Sequence, residues 1–426
     1  MPKLHKKLAL ALVVQATLLS TAYASEQSDS KGFVEDSKGS ILLRNGWINR
    51  DFTTNGTYKS SWGQGVIGKF DSGFTQGTVG VGVGALGDFA FKLGDNSHAG
   101  NQMLYKNGQK DIWARGGVNV KARVSNTTVV YGTQFLQLPV LAGNDARLLP
   151  EYHTGTLVTS HEIKDLELVY GHFTKDQYSN QINTDGNHLK RVDVWGAKYQ
   201  FTKDLQGSYY GAAFKNALQR HYLDLNYKLP LAADRSLAFD VTGYRTNYDA
   251  GIYDKMLGDG SAFVSGAPNT KKNNNIWAAS ATYNQGPHTG MLAYQQSTGS
   301  SSYAYNFVGD GGGSIALPNS YYSDFNGNHE KSLQAMYSLD FGALGVPGLT
   351  WTTAYVYGWN IHVAGKTDDA KEREIFNQVK YTVQNGFAKD LSFKVRNSTY
   401  RANASYNDYA GNTNEWRLYL EYPINF

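Results

Sequence analysis

The side chains able to do chemistry in this chain are cations separated by even numbers of residues. Arg44 and Arg50 are six apart, and Lys394 and Arg396 are two apart. Successive side chains of a strand point to opposite faces, so each pair shares a face if its segment is extended. Lys394 and Arg396 stand opposite Leu391, Phe393 and Val395. Six residues at about 3.3 Å each separate Arg44 from Arg50 by about 20 Å, enough to pass an anion from one site to the next. Cations so placed bind anions weakly and repeatedly without breaking bonds. Their blander use is to keep an interior wet.

Other chemistries find little support. The chain has no cysteine, which excludes a disulfide framework and thiolate metal sites. Its ten histidines lack the paired spacing of metal ligands, and His161 beside Glu162 reads as a turn. Gly80, Gly82 and Gly84 suggest a phosphate loop only superficially, because Val alternates with them and no helix follows. Glycine in a strand marks a bend or a close approach instead. No nucleophile motif appears among the serines, so no catalytic residue, metal or cofactor is expected.

The elements that hold the cations are legible from the C-terminus backward. Residues 416–426 alternate strictly, with Trp416, Leu418, Leu420, Tyr422, Ile424 and Phe426 on one face and Arg417, Tyr419, Glu421 and Asn425 on the other. Period two means a strand. At the other end, Lys3, His5, Lys6 and Lys7 precede an apolar run from Leu8 to Ser20, and Ala22-Tyr23-Ala24 has the pattern of a cleavage site. Residues 1–24 are therefore expected to be a signal peptide, leaving 25–426 as one mature domain. Losing three lysines turns the formal charge of +4 into +1, which argues against a nucleic-acid partner. The chain is rich in Tyr (30) and Gly (46) with only 9 Pro, and no later stretch is long and apolar enough for a membrane helix.

Alternating segments fall near 41–52, 61–71, 78–92, 111–123, 128–135, 156–163, 166–174, 191–202 and 207–215. Others fall near 219–229, 236–247, 274–284, 289–297, 329–340, 349–361, 373–384, 391–402 and 413–426. Short links such as Lys164-Asp165 alternate with long ones at about 93–110, 136–155, 175–190, 248–273 and 298–328. The long ones are rich in Gly, Ser and Asn, as in Ser297 to Gly313, and are expected to be mobile. On 111–124, Ile112, Ala114, Val118, Val120, Ala122 and Val124 oppose Asp111, Arg115, Asn119, Lys121 and Arg123. A Lys or Arg facing lipid at mid-membrane costs about 2–4 kcal/mol, so this polar face must line a wet interior. The fold class is all-β: a transmembrane antiparallel barrel of about 18 strands, with long extracellular loops and short periplasmic turns.

Specific stretches carry a resemblance. Ser61-Trp62-Gly63-Gln64-Gly65 through Lys69 to Phe74, with Ala85-Leu86-Gly87, resembles the OprD-type substrate-specific porins of Gram-negative outer membranes. So do Leu138 to Leu141, Asn144 to Pro150, Leu317 to Ser320, Tyr322 to Gly327, Leu339 to Leu349 and Glu415 to Phe426. The resemblance covers essentially the whole mature chain. It implies an eighteen-strand barrel and passive uptake of small polar nutrients, typically carboxylates or zwitterions such as basic amino acids, small peptides or aromatic acids. It also implies an inward-folded third loop, here 136–155 with Asn144, Asp145 and Arg147, and a row of basic residues along one wall.

In a closed barrel the first and last strands are neighbours, so Arg44 and Arg50 should lie beside Arg417, next to Lys394 and Arg396. Arg401 has outward parity unless a bulge re-aims it. Asp145 and Arg147 either gate the channel or anchor the loop through a mutual or wall salt bridge, and an acidic patch including Asp145 would face the cations. Relatives carry Arg at positions matching Ala354 and Tyr357, so fewer inward cations are expected here. Outer-membrane lipid and lipopolysaccharide are the expected surroundings, and the oligomeric state is open between monomer and homotrimer. The rival functions are a structural or adhesive barrel and a barrel hydrolase.

Overall fold

The computed structural model describes residues 25–426 apart from 55, 96–103, 106–109, 181, 183–188, 251–270, 364 and 408–410. The expected signal segment, 1–24, lies outside the described residues. An 18-stranded antiparallel sheet closes on itself. It begins with β1 (Lys38–Phe52), β2 (Thr57–Asp71), β3 (Val79–Asp95), β4 (Ile112–Val124) and β5 (Thr127–Gln134). A separate two-stranded ladder follows, β6 (Gln137–Leu138) with β7 (Leu141–Ala142). The barrel resumes with β8 (Tyr152–Ile163), β9 (Leu166–Gln177), β10 (Val192–Thr202), β11 (Leu205–Phe214), β12 (Leu218–Ala232) and β13 (Arg235–Tyr248). It ends with β14 (Lys272–Gln285), β15 (His288–Gly299), β16 (Lys331–Asp340), β17 (Leu349–Ile361), β18 (Ala370–Thr382), β19 (Ser392–Ala402) and β20 (Thr413–Asn425).

Closure follows from β1 pairing with β2 on one side and with β20 on the other, from Ser40↔Asn425 to Phe52↔Thr413. Gly39 and Phe426 extend the seam by exchanging backbone bonds of 2.8 and 3.0 Å. One rim carries turns of two residues, at 125–126, 164–165, 203–204, 233–234 and 286–287. Ser125, Asp165 and Gly286 take left-handed φ there, as such tight reversals demand. The opposite rim carries 96–111, 135–151, 178–191, 249–271 and 300–330, together with the short links 53–56 and 215–217. Short turns mark the periplasmic side of such barrels and long loops the extracellular side.

Alternation sets the two faces. On β3, Val79, Val81 and Val83 are exposed to the outside, while Gly80, Gly82 and Gly84 face in. On β4, Ile112, Val118 and Val120 are exposed, whereas Arg115 and Lys121 are buried inside. On β17 the inward positions are Ala354, Val356 and Gly358. Tyr357 belongs to the outer face, where it stacks on Trp359 with centroids 5.9 Å apart. The reading that treated both Ala354 and Tyr357 as lost inward cations is therefore corrected. Positions three apart on an uninterrupted strand face opposite ways.

The interior differs from a simple wet tube because two extracellular loops fold into it. Tyr244 on β13 donates to the Pro139 carbonyl at 3.0 Å, and Arg44 on β1 donates to the Arg147 carbonyl at 3.0 Å. With β6 and β7 outside the sheet, β13 is the eleventh of eighteen barrel strands and stands nearly opposite β1. A segment tied to both must cross the lumen. The expected span 136–155 shortens to 135–151, because β8 already begins at Tyr152.

The loop 300–330, expected to be mobile, is instead packed: Tyr303, Ala304, Phe307, Val308, Asp310 and Ser314 are buried. Its apolar residues join Leu136, Val140 and Leu141 and the inward faces of β9–β14 in one cluster. Hydrophobic burial holds this loop in place despite its Gly- and Ser-rich composition.

Candidate functional site

The cations of β1, β19 and β20 face the lumen side by side. Backbone register sets Arg44 across from Glu421, Arg50 across from Glu415, and Arg417 across from Arg396. Lys394 lies across from Tyr419, with its ammonium 5.0 Å from that ring's centroid. All five basic residues picked out in the sequence thus come together on one wall. Arg401 does not join them. No bulge interrupts the β18–β19 register, and its guanidinium donates to the Tyr400 and Thr413 carbonyls and to Asn414.

The wall divides into two groups. Nearer the periplasm, Arg44 donates through Nε to Glu421 at 2.6 Å and through Nη1 to Asp145 at 2.9 Å. Lys394 lies 3.7 Å from the same Glu421. Two cations therefore meet two carboxylates. Nearer the extracellular side, Glu415 accepts from both Arg50 and Arg417, the latter at 2.6 Å. Arg396 stands across from Arg417 with only the ring of Phe376 beneath it, 5.0 Å away, and has no ion pair among the described residues.

Arg147 of the crossing loop adds a fourth guanidinium here, again without an ion pair among the described residues. Burial, then the like charges of Arg417 and Arg50, lowers its pKa to about 10, so it remains a cation at neutral pH. Like charges facing one another are costly to hold together. Their natural complement is an anion.

The loop residues divide by role. Asp145 anchors the loop to Arg44, on the basic wall itself, so it is no part of an opposing acidic patch. It makes no salt bridge with Arg147. Asn144 shapes the chain: its side chain accepts from the Ala146 N–H at 2.7 Å, and its own N–H donates to Glu151 at 2.8 Å. The same Glu151 oxygen accepts the Gly312 N–H at 2.8 Å, joining the two inward loops. Burial pushes the Glu151 pKa up to about 8, which leaves it protonated at neutral pH. Gly311, at φ +81°, passes so close to the Ala142 carbonyl that a Cβ there would lie 2.1 Å from its oxygen. Only glycine fits both the angle and the approach.

Sequence reasoning missed the second loop's anchors. Arg220 on β12 and Asp310 form a fully buried pair at 3.0 Å, with the guanidinium 4.9 Å from the Tyr303 ring centroid. Asp310 also accepts the N–H groups of Phe307 and Val308. Across the lumen, Glu374 on β18 accepts the N–H groups of Tyr322 and Ser323, and the Tyr322 ring lies 5.0 Å from Arg50. A line of tyrosines, Tyr222, Tyr244, Tyr303 and Tyr305, runs from the wall into the loop with centroids 4.8, 4.9 and 6.0 Å apart. Tyr222 and Tyr244 were legible as inward residues by parity; their loop partners were not.

A closed antiparallel barrel, narrowed by inward loops and lined with cations along one wall, defines a channel of the outer membrane. The family model described as outer membrane porin, OprD family, matches residues 31–426, and the chain belongs to that family. It is 37% identical over 456 residues to Porin D of Pseudomonas aeruginosa, covering 99% of each chain. Among solved structures, OccAB1 of Acinetobacter baumannii superposes with a TM-score of 0.89 at 56% identity, over 94% of this chain and 100% of that one. A BenF-like porin from Pseudomonas fluorescens gives a TM-score of 0.81 at 32% identity, over 93% and 100%. The outer membrane is the location that this family and fold define.

Proposed function

We propose that this porin passes small carboxylate-bearing or zwitterionic solutes by facilitated diffusion, with no catalysis. Residues 1–24 serve as the export signal and 25–426 as the barrel, in which 135–151 forms the constriction. The supporting observation is the group around Glu415, where Arg50, Arg147, Arg396 and Arg417 converge and two guanidinium groups lack a carboxylate partner among the described residues. A carboxylate entering there exchanges part of its hydration for charge-assisted hydrogen bonds, and the next cations toward the periplasm, Arg44 and Lys394, receive it. Their existing partners, Glu421 and Asp145, keep that second site weak enough for release.

The test is a planar bilayer with purified protein, Arg396→Ala and Arg417→Ala. Conductance and carboxylate uptake should both fall, and unchanged values would remove the guiding row. A structural or adhesive barrel would give no swelling of liposomes in small amino acids. Surrounding lipid and lipopolysaccharide, and a monomeric or homotrimeric state, complete the reading.

A further inference from the structure

We infer that the outer wall carries a binding site for the phosphate groups of outer-leaflet lipopolysaccharide, in the notch above the β11–β12 turn. The site rests on the membrane location alone and is independent of which solute passes. The turn 215–217 is one of the short links on the extracellular rim. It leaves a cleft of about 600 Å³ whose lining includes Arg191, Lys215 and Lys271. All three are exposed. Gln219, Asn247 and Asn273 also line it, exposed on the outward faces of β12, β13 and β14 and adjacent through the strand register.

Depth in the membrane is set by aromatic residues. Trp195 and His221 pack edge to face on the outer wall, Tyr209 stacks on His221, and Trp277 packs against Tyr294. Aromatic girdles of this kind sit at headgroup level. Register sets Trp195 across from Gly211, and Gly211 across from His221. Lys215 lies four residues beyond Gly211 toward the extracellular end, and Arg191 four beyond Trp195. At about 3.3 Å per residue, the cations stand roughly 13 Å along the strands beyond the aromatic row, on its extracellular side. Arg245, exposed on the outward face across from His221, adds charge from below.

Among the described residues the local acids are Asp249, which lines the cleft, and Asp193, held by Arg191 at 3.2 Å and His172 at 2.7 Å. Lys215 and Lys271 have no ion pair among the described residues. Its described lining is therefore net cationic, floored by amide groups that can donate hydrogen bonds, and lies on the side of the aromatic girdle that faces the phosphorylated glycolipid. Phosphate recognition by converging Arg and Lys with amide donors matches that chemistry.

The experiment titrates the full chain, folded in detergent, with purified lipopolysaccharide and with the same lipid after enzymatic removal of its phosphates. The combined variant Arg191→Gln, Lys215→Gln, Lys271→Gln should bind on the order of 100-fold more weakly, from the contribution of each cation near an anionic surface. The control variant Lys366→Gln, Lys371→Gln, Arg373→Gln, which removes equal charge from the extracellular rim at β17–β18, should stay near wild type. Dephosphorylated lipid should bind weakly to all three proteins. Unchanged affinity in the first variant, an equal loss in the control, or equal binding of dephosphorylated lipid would overturn the site. Single-channel conductance of the first variant should match wild type and so verify an intact barrel. If that variant does not fold, Lys215→Gln alone should cost about fivefold, and no loss there would overturn the site as well.

Discussion

Two sectors of the lumen use inward-facing arginine in opposite ways. Facing β9–β14, Arg220 is fully enclosed with Asp310, hydrogen-bonded to the Ala304 carbonyl and covered by Tyr303. Facing β19, β20 and β1, Arg396 and Arg147 are held near Arg417 with no carboxylate of their own among the described residues. The first arrangement satisfies every demand of the charge and so fixes a loop. The second leaves cationic demand unmet, which is what the proposed guidance of anions would use. Arg44 stands between the extremes, because its partners Glu421 and Asp145 are partly exposed. A charge inside a barrel is thus no evidence of transport until its partners are known.

That contrast can be broken at its strongest point first. Asp310→Ala would leave Arg220 enclosed and unpaired, a loss of about 3–5 kcal/mol. A sharply lower thermal midpoint and a larger single-channel conductance are expected, as loop 300–330 leaves the lumen. An unchanged midpoint would mean that this sector does not depend on the pair. Next in size, Arg44→Gln should cost about 1.5–3 kcal/mol, since two charged hydrogen bonds are lost, and should loosen loop 135–151 to protease.

A smaller effect is expected from pH. Glu151 has its pKa raised to about 8, so its stabilisation of the folded loops is complete below the ordinary carboxylate range and is lost as pH rises through about 8. Channel noise should grow between pH 7 and 9, and Glu151→Gln should remove that dependence. The smallest change in stability, within about 0.5 kcal/mol, is expected for Arg396→Gln and Arg147→Gln. Their effect should appear instead as a reversal potential shifted toward cation preference. A large fall in midpoint for either would place it with Arg220, as structure.

The strands were readable because each one separates lipid from lumen, which forces strict alternation, as Val118 and Val120 against Arg115 and Lys121 illustrate. The basic wall was readable for the same reason, once closure of the barrel makes β1 and β20 neighbours. Glu415 and Glu421 share the parity of Arg417, so their pairing with Arg50 and Arg44 was within reach of the pattern. The partnership of Arg44 with Asp145 was not, because no local periodicity links residues 101 positions apart. Loop 300–330 misled through its Gly and Ser content. Its clue was the apolar set Tyr303, Phe307, Val308 and Phe325, too greasy for a solvated loop. Tyr357 misled for another reason: it was paired with Ala354 by resemblance, while simple parity already separated them.

Loop 300–330 is bound to β12 through Arg220, to β15 through Gln295, to β16 through Asn319 and Ser332, and to β18 through Glu374. Loop 135–151 reaches β1 and β13. Together they brace the cylinder from within, like spokes that hold a rim round. Flattening of the cross-section is therefore resisted from several directions at once, and these two loops are held too firmly to swing as a hinged flap.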